Sequence, residues 1–137
     1  MKIAKEFKWE MGHRLTFHEG LCKNLHGHSY KMMVEVEGEP DSDGMILDYY
    51  NLAKIINPIL AELDHGYMIY SKDTRLIEFM QEFNSKHVVV DFEATAENMC
   101  GYFLNKIKEA ELPSNINKVT VLVYETEDTF AQDSLEL

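Results

Sequence analysis

Residues 2–9 alternate between apolar and polar. Ile3, Phe7 and Trp9 share one parity, and Lys2, Glu6 and Lys8 take the other. A period of two marks a strand with one buried face. Residues 28–37 repeat the pattern, with Tyr30, Met32, Val34 and Val36 against Lys31, Glu35 and Glu37. After a polar loop at 38–44 the period lengthens. Leu52, Ile55, Ile56, Ile59, Leu60 and Leu63 fall at helical spacing, and Asp48 stands ready to cap. Pro58 lies inside that run and predicts a kink or a re-started helix. Leu76, Met80 and Phe83 predict a short helix after Asp73, and Val88–Val90 a short buried strand. Thr95 can cap a second long helix carrying Met99, Phe103, Leu104 and Ile107. Val119, Val121 and Val123 alternate in a last strand. The pattern predicts an α+β domain in which two helices cover one face of a small antiparallel sheet.

Composition narrows the class. At 137 residues the chain fits one domain, spanning 1–137. A net charge of −11 opposes a phosphate backbone, so nucleic acid is not an expected partner. No run of about 18 apolar residues exists to span a membrane. Two cysteines, with no apolar export stretch in Met1–Glu10, predict a reducing cytoplasm and no disulfide scaffold.

The candidate chemistry sits where the strand patterns end. His26 and His28 share the parity of Tyr30 and the apolar stripe, so both face inward. His13 has the parity of Trp9. If the two strands pair, His13 approaches His28 and residues 14–25 arch over them. Gly27 permits close approach of backbone. Three imidazoles with an open fourth position describe a catalytic Zn2+ site; structural zinc is usually closed by four ligands. Cys22 can complete a closed site or stand beside it as a thiolate base or nucleophile. His18 reads as loop surface, and His87 as a structural residue opening a strand.

The run Cys22-Lys23-Asn24-Leu25-His26-Gly27-His28-Ser29-Tyr30 resembles the signature of the 6-pyruvoyl-tetrahydropterin synthase and 6-carboxy-tetrahydropterin synthase family. Further segments resemble that family in order: Trp9–Leu15, Gly44–Tyr49, Leu63-Asp64-His65, Ala94–Asn98 and Tyr124-Glu125-Thr126. Ala94 departs from the family's usual proline. The resemblance implies a T-fold (tunnelling fold), a four-stranded antiparallel sheet with two helices on one face. It also implies a homo-oligomer, a trimer or stacked hexamer with sites between subunits.

The resemblance further implies roles. His13, His26 and His28 would hold zinc, and Cys22 would abstract a proton. Asp64 and His65, from another subunit, would relay protons. Glu125 would anchor a pterin and also take part in the relay, and Thr95 would cap its helix and touch the pterin. Lys23 and Arg14 are candidates for the triphosphate of the substrate, 7,8-dihydroneopterin triphosphate. The expected product is 6-carboxy-tetrahydropterin, on the queuosine (deazapurine) route, because a short chain without an export signal suggests a microbial protein. A 6-pyruvoyl product, or a non-catalytic zinc-containing pterin-binding protein, is the alternative.

Overall fold

The computed structural model describes residues 1–137. Six strands, β1 (Lys2–His13), β2 (His26–Gly38), β3 (Gly66–Tyr70), β4 (His87–Val90), β5 (Ile116–Tyr124) and β6 (Phe130–Glu136), form one sheet in the order β4-β3-β1-β2-β5-β6. Three helices, α1 (Tyr49–Leu63), α2 (Thr74–Phe83) and α3 (Ala96–Glu109), complete the chain. None is long and apolar enough to cross a membrane.

The α+β class holds, and the sheet corrects the expectation of four strands. β1, β2, β5 and β6 are antiparallel neighbours, whereas β3 and β4 add two short strands in parallel pairing. The pattern gives no sign of β3 because Met68 and Ile69 are both buried, one on each face, which erases the alternation. β6 is hidden for the opposite reason: it is a largely exposed edge strand reading Phe-Ala-Gln-Asp-Ser-Leu-Glu.

The inward parity of β1, β2 and β5 builds the core. Phe7, Trp9, Met11, Tyr30, Met32, Val34, Val36, Val119, Val121 and Val123 bury against α1 and α3. Trp9 stacks on Tyr30 with centroids 5.0 Å apart and meets the edge of Phe103 at 5.4 Å. Truncating such a core aromatic costs about 3–5 kcal/mol. The helices start where expected: Asp48 accepts the Tyr50 amide at 2.7 Å, and Thr95 accepts the Asn98 amide at 3.2 Å. Pro58 does not restart α1, which is one element from Tyr49 to Leu63. Pro58 and Lys54, whose carbonyl loses its donor, both lie on the exposed face, where water can serve that carbonyl.

α2 corrects the two-helix layout. Met68 joins the main core, while its neighbour Ile69 buries with Leu76 and Met80 of α2. Successive strand residues point to opposite faces, so α2 covers the face that α1 and α3 leave open. Phe83, expected on its buried stripe, instead stacks on Phe79 at 5.8 Å and is exposed.

Candidate metal centre and active site

The inward parity that fills the core ends in polar side chains. On β1 it runs Phe7, Trp9, Met11, His13; on β2, backwards, Val34, Met32, Tyr30, His28, His26; on β5, Val121, Val123, then Glu125. β1 and β2 pair with His13 opposite His26 and Met11 opposite His28. The three rings therefore converge, with centroids 4.7 Å (His13–His26), 5.1 Å (His13–His28) and 4.9 Å (His26–His28) apart. Gly27 allows this: a Cβ there would lie 2.9 Å from the Met11 carbonyl oxygen.

Each imidazole offers one nitrogen atom, and these lie within 4.8 Å of one another. His13 Nδ1 donates to the Ala94 carbonyl at 2.7 Å, and His26 Nδ1 donates to the Asn24 carbonyl at 2.7 Å. Those carbonyls fix the tautomer and leave Nε2 as a lone pair, the usual outer support of a metal-binding histidine. The Nε2 atoms of His13, His26 and His28 are all buried without a hydrogen-bond partner. Three converging unpartnered Nε2 atoms fit a divalent transition metal. Burial lowers the His13 pKa to about 4, and nearby His26 and His28 push it the same way. His28 is lowered by burial and then by His26. Both rings are neutral at pH 7, the form a metal needs.

A cavity of about 380 Å³ adjoins the cluster, lined in part by Cys22, His18, Thr95, Glu97 and Glu125. Glu125 Oε1 is 3.9 Å from His13 Nε2. With His13 neutral, that approach is not an ion pair. Burial, then the charge of Glu97, raises the Glu125 pKa, with His26 pulling it back. Cys22 stands outside the histidine group, on a 3-10 turn at Leu21–Lys23. The arching segment is there as expected, and His18, read as loop surface, helps line the cavity while accepting the Gly20 amide at 2.9 Å. His87 opens β4 and meets the Ser85 carbonyl at 2.8 Å.

Asp64 and His65 do not share this cavity. They dock on the outer edge of β1, where the Glu10 amide donates to Asp64 Oδ1 at 2.8 Å and the His65 amide donates to the Glu10 carbonyl at 2.7 Å. Arg14, a triphosphate candidate, is committed elsewhere: its guanidinium holds the Asp73 carboxylate. The carbonyl of Ala94, which orients His13, was not signalled by any side chain in the sequence.

The family described as 6-pyruvoyl tetrahydropterin synthase matches residues 2–134. The chain belongs to that family. A Haemophilus influenzae protein named 6-carboxy-5,6,7,8-tetrahydropterin synthase is 32% identical over 96% of each chain. An Aquifex aeolicus protein of the same name is 28% identical, again over 96% of each chain. The fold superposes on the crystal structure of 6-pyruvoyl tetrahydropterin synthase from Plasmodium vivax with a TM-score of 0.81, covering 100% of this chain and 98% of that one at 19% identity. For a tetrahydropterin synthase family member, the β3–α2–β4 excursion sits beside the site rather than inside it.

Proposed function

We propose that the protein is a zinc-dependent lyase, a 6-carboxy-5,6,7,8-tetrahydropterin synthase. It would convert 7,8-dihydroneopterin triphosphate and water to 6-carboxy-tetrahydropterin, acetaldehyde and triphosphate, as a step toward deazapurines such as queuosine in the cytoplasm. The observation that carries this reading is the convergence of three unpartnered Nε2 atoms beside a cavity that holds Cys22 and Glu125. The names of the Haemophilus influenzae and Aquifex aeolicus relatives favour the carboxy product over the pyruvoyl one.

His13, His26 and His28 would hold the metal. Bound there, zinc supplies Lewis acidity that polarises the C–O groups of the substrate side chain. Cys22 removes a proton from that side chain as a thiolate. Glu125 accepts two parallel N–H bonds from the amino-pyrimidinone edge, as a carboxylate does from an arginine fork. Thr95 presents the first amides of α3 to the same ring. Asp64 fixes the His65 tautomer, and His65 passes protons.

A homo-oligomer is supported by two features. β3 meets β1 only at Met11 and Gly12, so the outer edge of β1 from Lys2 to Trp9 carries no strand. β6, which ends the sheet on the side away from β3 and β4, is likewise open to pairing. Joining such edges between copies removes both and would bring the Asp64–His65 pair of one copy to the cavity of another.

Zinc-loaded protein incubated with 7,8-dihydroneopterin triphosphate should yield 6-carboxy-tetrahydropterin and acetaldehyde by mass analysis. A 6-pyruvoyl product would reverse the choice of reaction. Unchanged substrate would leave a zinc-containing pterin-binding protein and end the enzyme reading.

A further inference from the structure

Arg14 follows His13 directly and opens the segment that carries Cys22. Its Nε donates to Asp73 Oδ2 at 2.7 Å and its Nη2 to Asp73 Oδ1 at 3.0 Å. Its Nη1 points back to the carbonyl of Lys23, the neighbour of Cys22, at 3.4 Å. One planar side chain thus touches the start of the segment, its far end and the approach to α2. A lysine cannot reproduce that geometry, because an ammonium has no fixed fork.

Asp73 shows that the contact is built in. It occupies the N-cap position of α2 but makes no side-chain bond to that helix. An aspartate there ordinarily accepts the helix's own amides. Here both carboxylate oxygens face Arg14, and the residue is 6% exposed. A second tie lies close by: the Thr16 amide donates to Glu93 Oε2 at 3.2 Å, and the Thr16 hydroxyl donates to Glu93 Oε1. The segment needs such ties. Its 3-10 turn contains no buried residue, so apolar packing does not hold Cys22 in place. A single backbone bond spans it end to end, from the Leu15 amide to the Cys22 carbonyl at 2.9 Å.

We propose that Arg14 and Asp73 form a positioning clamp that braces the Cys22 segment against the β3–α2–β4 excursion and holds the thiol in the cavity it shares with Glu125. The link from clamp to turnover rests on the role given to Cys22 above; the link from clamp to segment order does not. The clamp also turns three of the five Arg14 N–H donors away from a triphosphate.

The test compares Asp73→Asn, Arg14→Lys and the paired replacement Arg14→Met with Asp73→Leu in the metal-loaded protein. Three things are read: hydrogen exchange at the Leu15 amide, the rate of Cys22 alkylation by iodoacetamide, and kcat and KM with 7,8-dihydroneopterin triphosphate. Asp73→Asn is expected to speed Leu15 exchange at least tenfold and alkylation severalfold. It should lower kcat at least tenfold and leave KM within threefold. Arg14→Lys should fall between it and the wild type. The paired replacement removes the buried Asp73 charge together with its part-exposed partner and so leaves no unpaired charge, a change that is often neutral for stability. It should melt near the wild-type temperature and still exchange fast. Wild-type exchange and alkylation in all three proteins would overturn the clamp, whatever happens to melting. A tenfold rise in KM with intact kcat in Arg14→Lys would also overturn it, in favour of Arg14 as a substrate ligand. Should the wild type fail to turn over, exchange and alkylation still decide the clamp separately from the assigned reaction.

Discussion

Asp64 Oδ2 lies 3.0 Å from His65 Nδ1, while Oδ1 of the same carboxylate accepts the Glu10 amide at 2.8 Å. Lys86 supports the turn from β4's approach, donating to the Asp64 carbonyl at 2.6 Å and the Ala61 carbonyl at 2.7 Å. His65 itself is in the left-handed region, with φ 60°. A pair so pinned to a strand edge presents an oriented imidazole to whatever docks on that edge. Asp64→Asn can keep an acceptor for the Glu10 amide and loses the charge that supports a protonated His65. Turnover should fall by about 10²-fold or more, the usual worth of a positioned acid–base group, with zinc content unchanged. The Glu10 amide, then His65, holds the Asp64 pKa below its ordinary 3.8. A depressed carboxylate pKa adds stability above its unfolded value and loses it as pH falls through the folded one. Asp64→Asn should therefore flatten the acid limb of Tm against pH below 3.8.

The metal-free protein should show a second pH dependence, of the same sense and at higher pH. His13 titrates at about 4 in the fold against an ordinary 6.5, chiefly through burial. The unfolded chain therefore takes up a proton near 6.5 that the native chain refuses. Stability of the metal-free protein is full above 6.5 and declines as pH falls toward 4, by at most about 3 kcal/mol from this group. His28, also lowered by burial, adds in the same direction. Calorimetry of the metal-free protein between pH 7 and 4 should show that slope, and His13→Gln should reduce it. Equal melting temperatures across the range would contradict the burial of a neutral His13.

Strand parity alone carried much of this site. It placed His13, His26 and His28 inward because a period of two is rigid, and the register needed to bring them together follows from pairing β1 with β2. The caps at Asp48 and Thr95 were legible because capping chemistry is local. What depended on partners distant in sequence was not. β3 shows no alternation because α2 buries its second face. Asp64 and His65 carried no signal in spacing; Glu125 continues the parity of Val121 and Val123, but only family resemblance singled it out. Arg14 read as a phosphate ligand because nothing near it in sequence announces Asp73, 59 residues away.

Cys22 and Cys100 should react very differently. Cys100 is buried, donates toward the Ala131 carbonyl at 3.4 Å, and has its pKa raised to about 11 by burial. Cys22 is half-buried and borders the cavity. One equivalent of iodoacetamide near neutral pH should label Cys22 alone, as peptide mass mapping would show, because thiolate content and access control the rate. Cys22→Ala should keep stoichiometric zinc and lose turnover by about 10²–10⁴-fold. Loss of zinc in that variant would make Cys22 a fourth ligand instead.

Glu125 should trade stability for binding. Burial and the charge of Glu97 raise its pKa above the ordinary 4.5, so ionising it at pH 7 costs the fold. The sign is opposite to that of Asp64: a carboxylate whose folded pKa is raised favours the native state as pH falls. In the metal-free protein, Glu125→Gln removes the half-buried charge at nearly constant shape and should raise Tm at pH 7. If Glu125 anchors a pterin, the change also replaces one of its two acceptor oxygens with a donor and removes the charge from the other. Hydrogen bonds to a charged group are worth about 1.5–3 kcal/mol, which corresponds to roughly 10- to 150-fold in affinity. KM for the dihydropterin substrate should rise by that order while zinc binding stays intact. A Glu125→Gln protein with unchanged KM, or one that melts lower, would mean that Glu125 serves the fold and not the ligand.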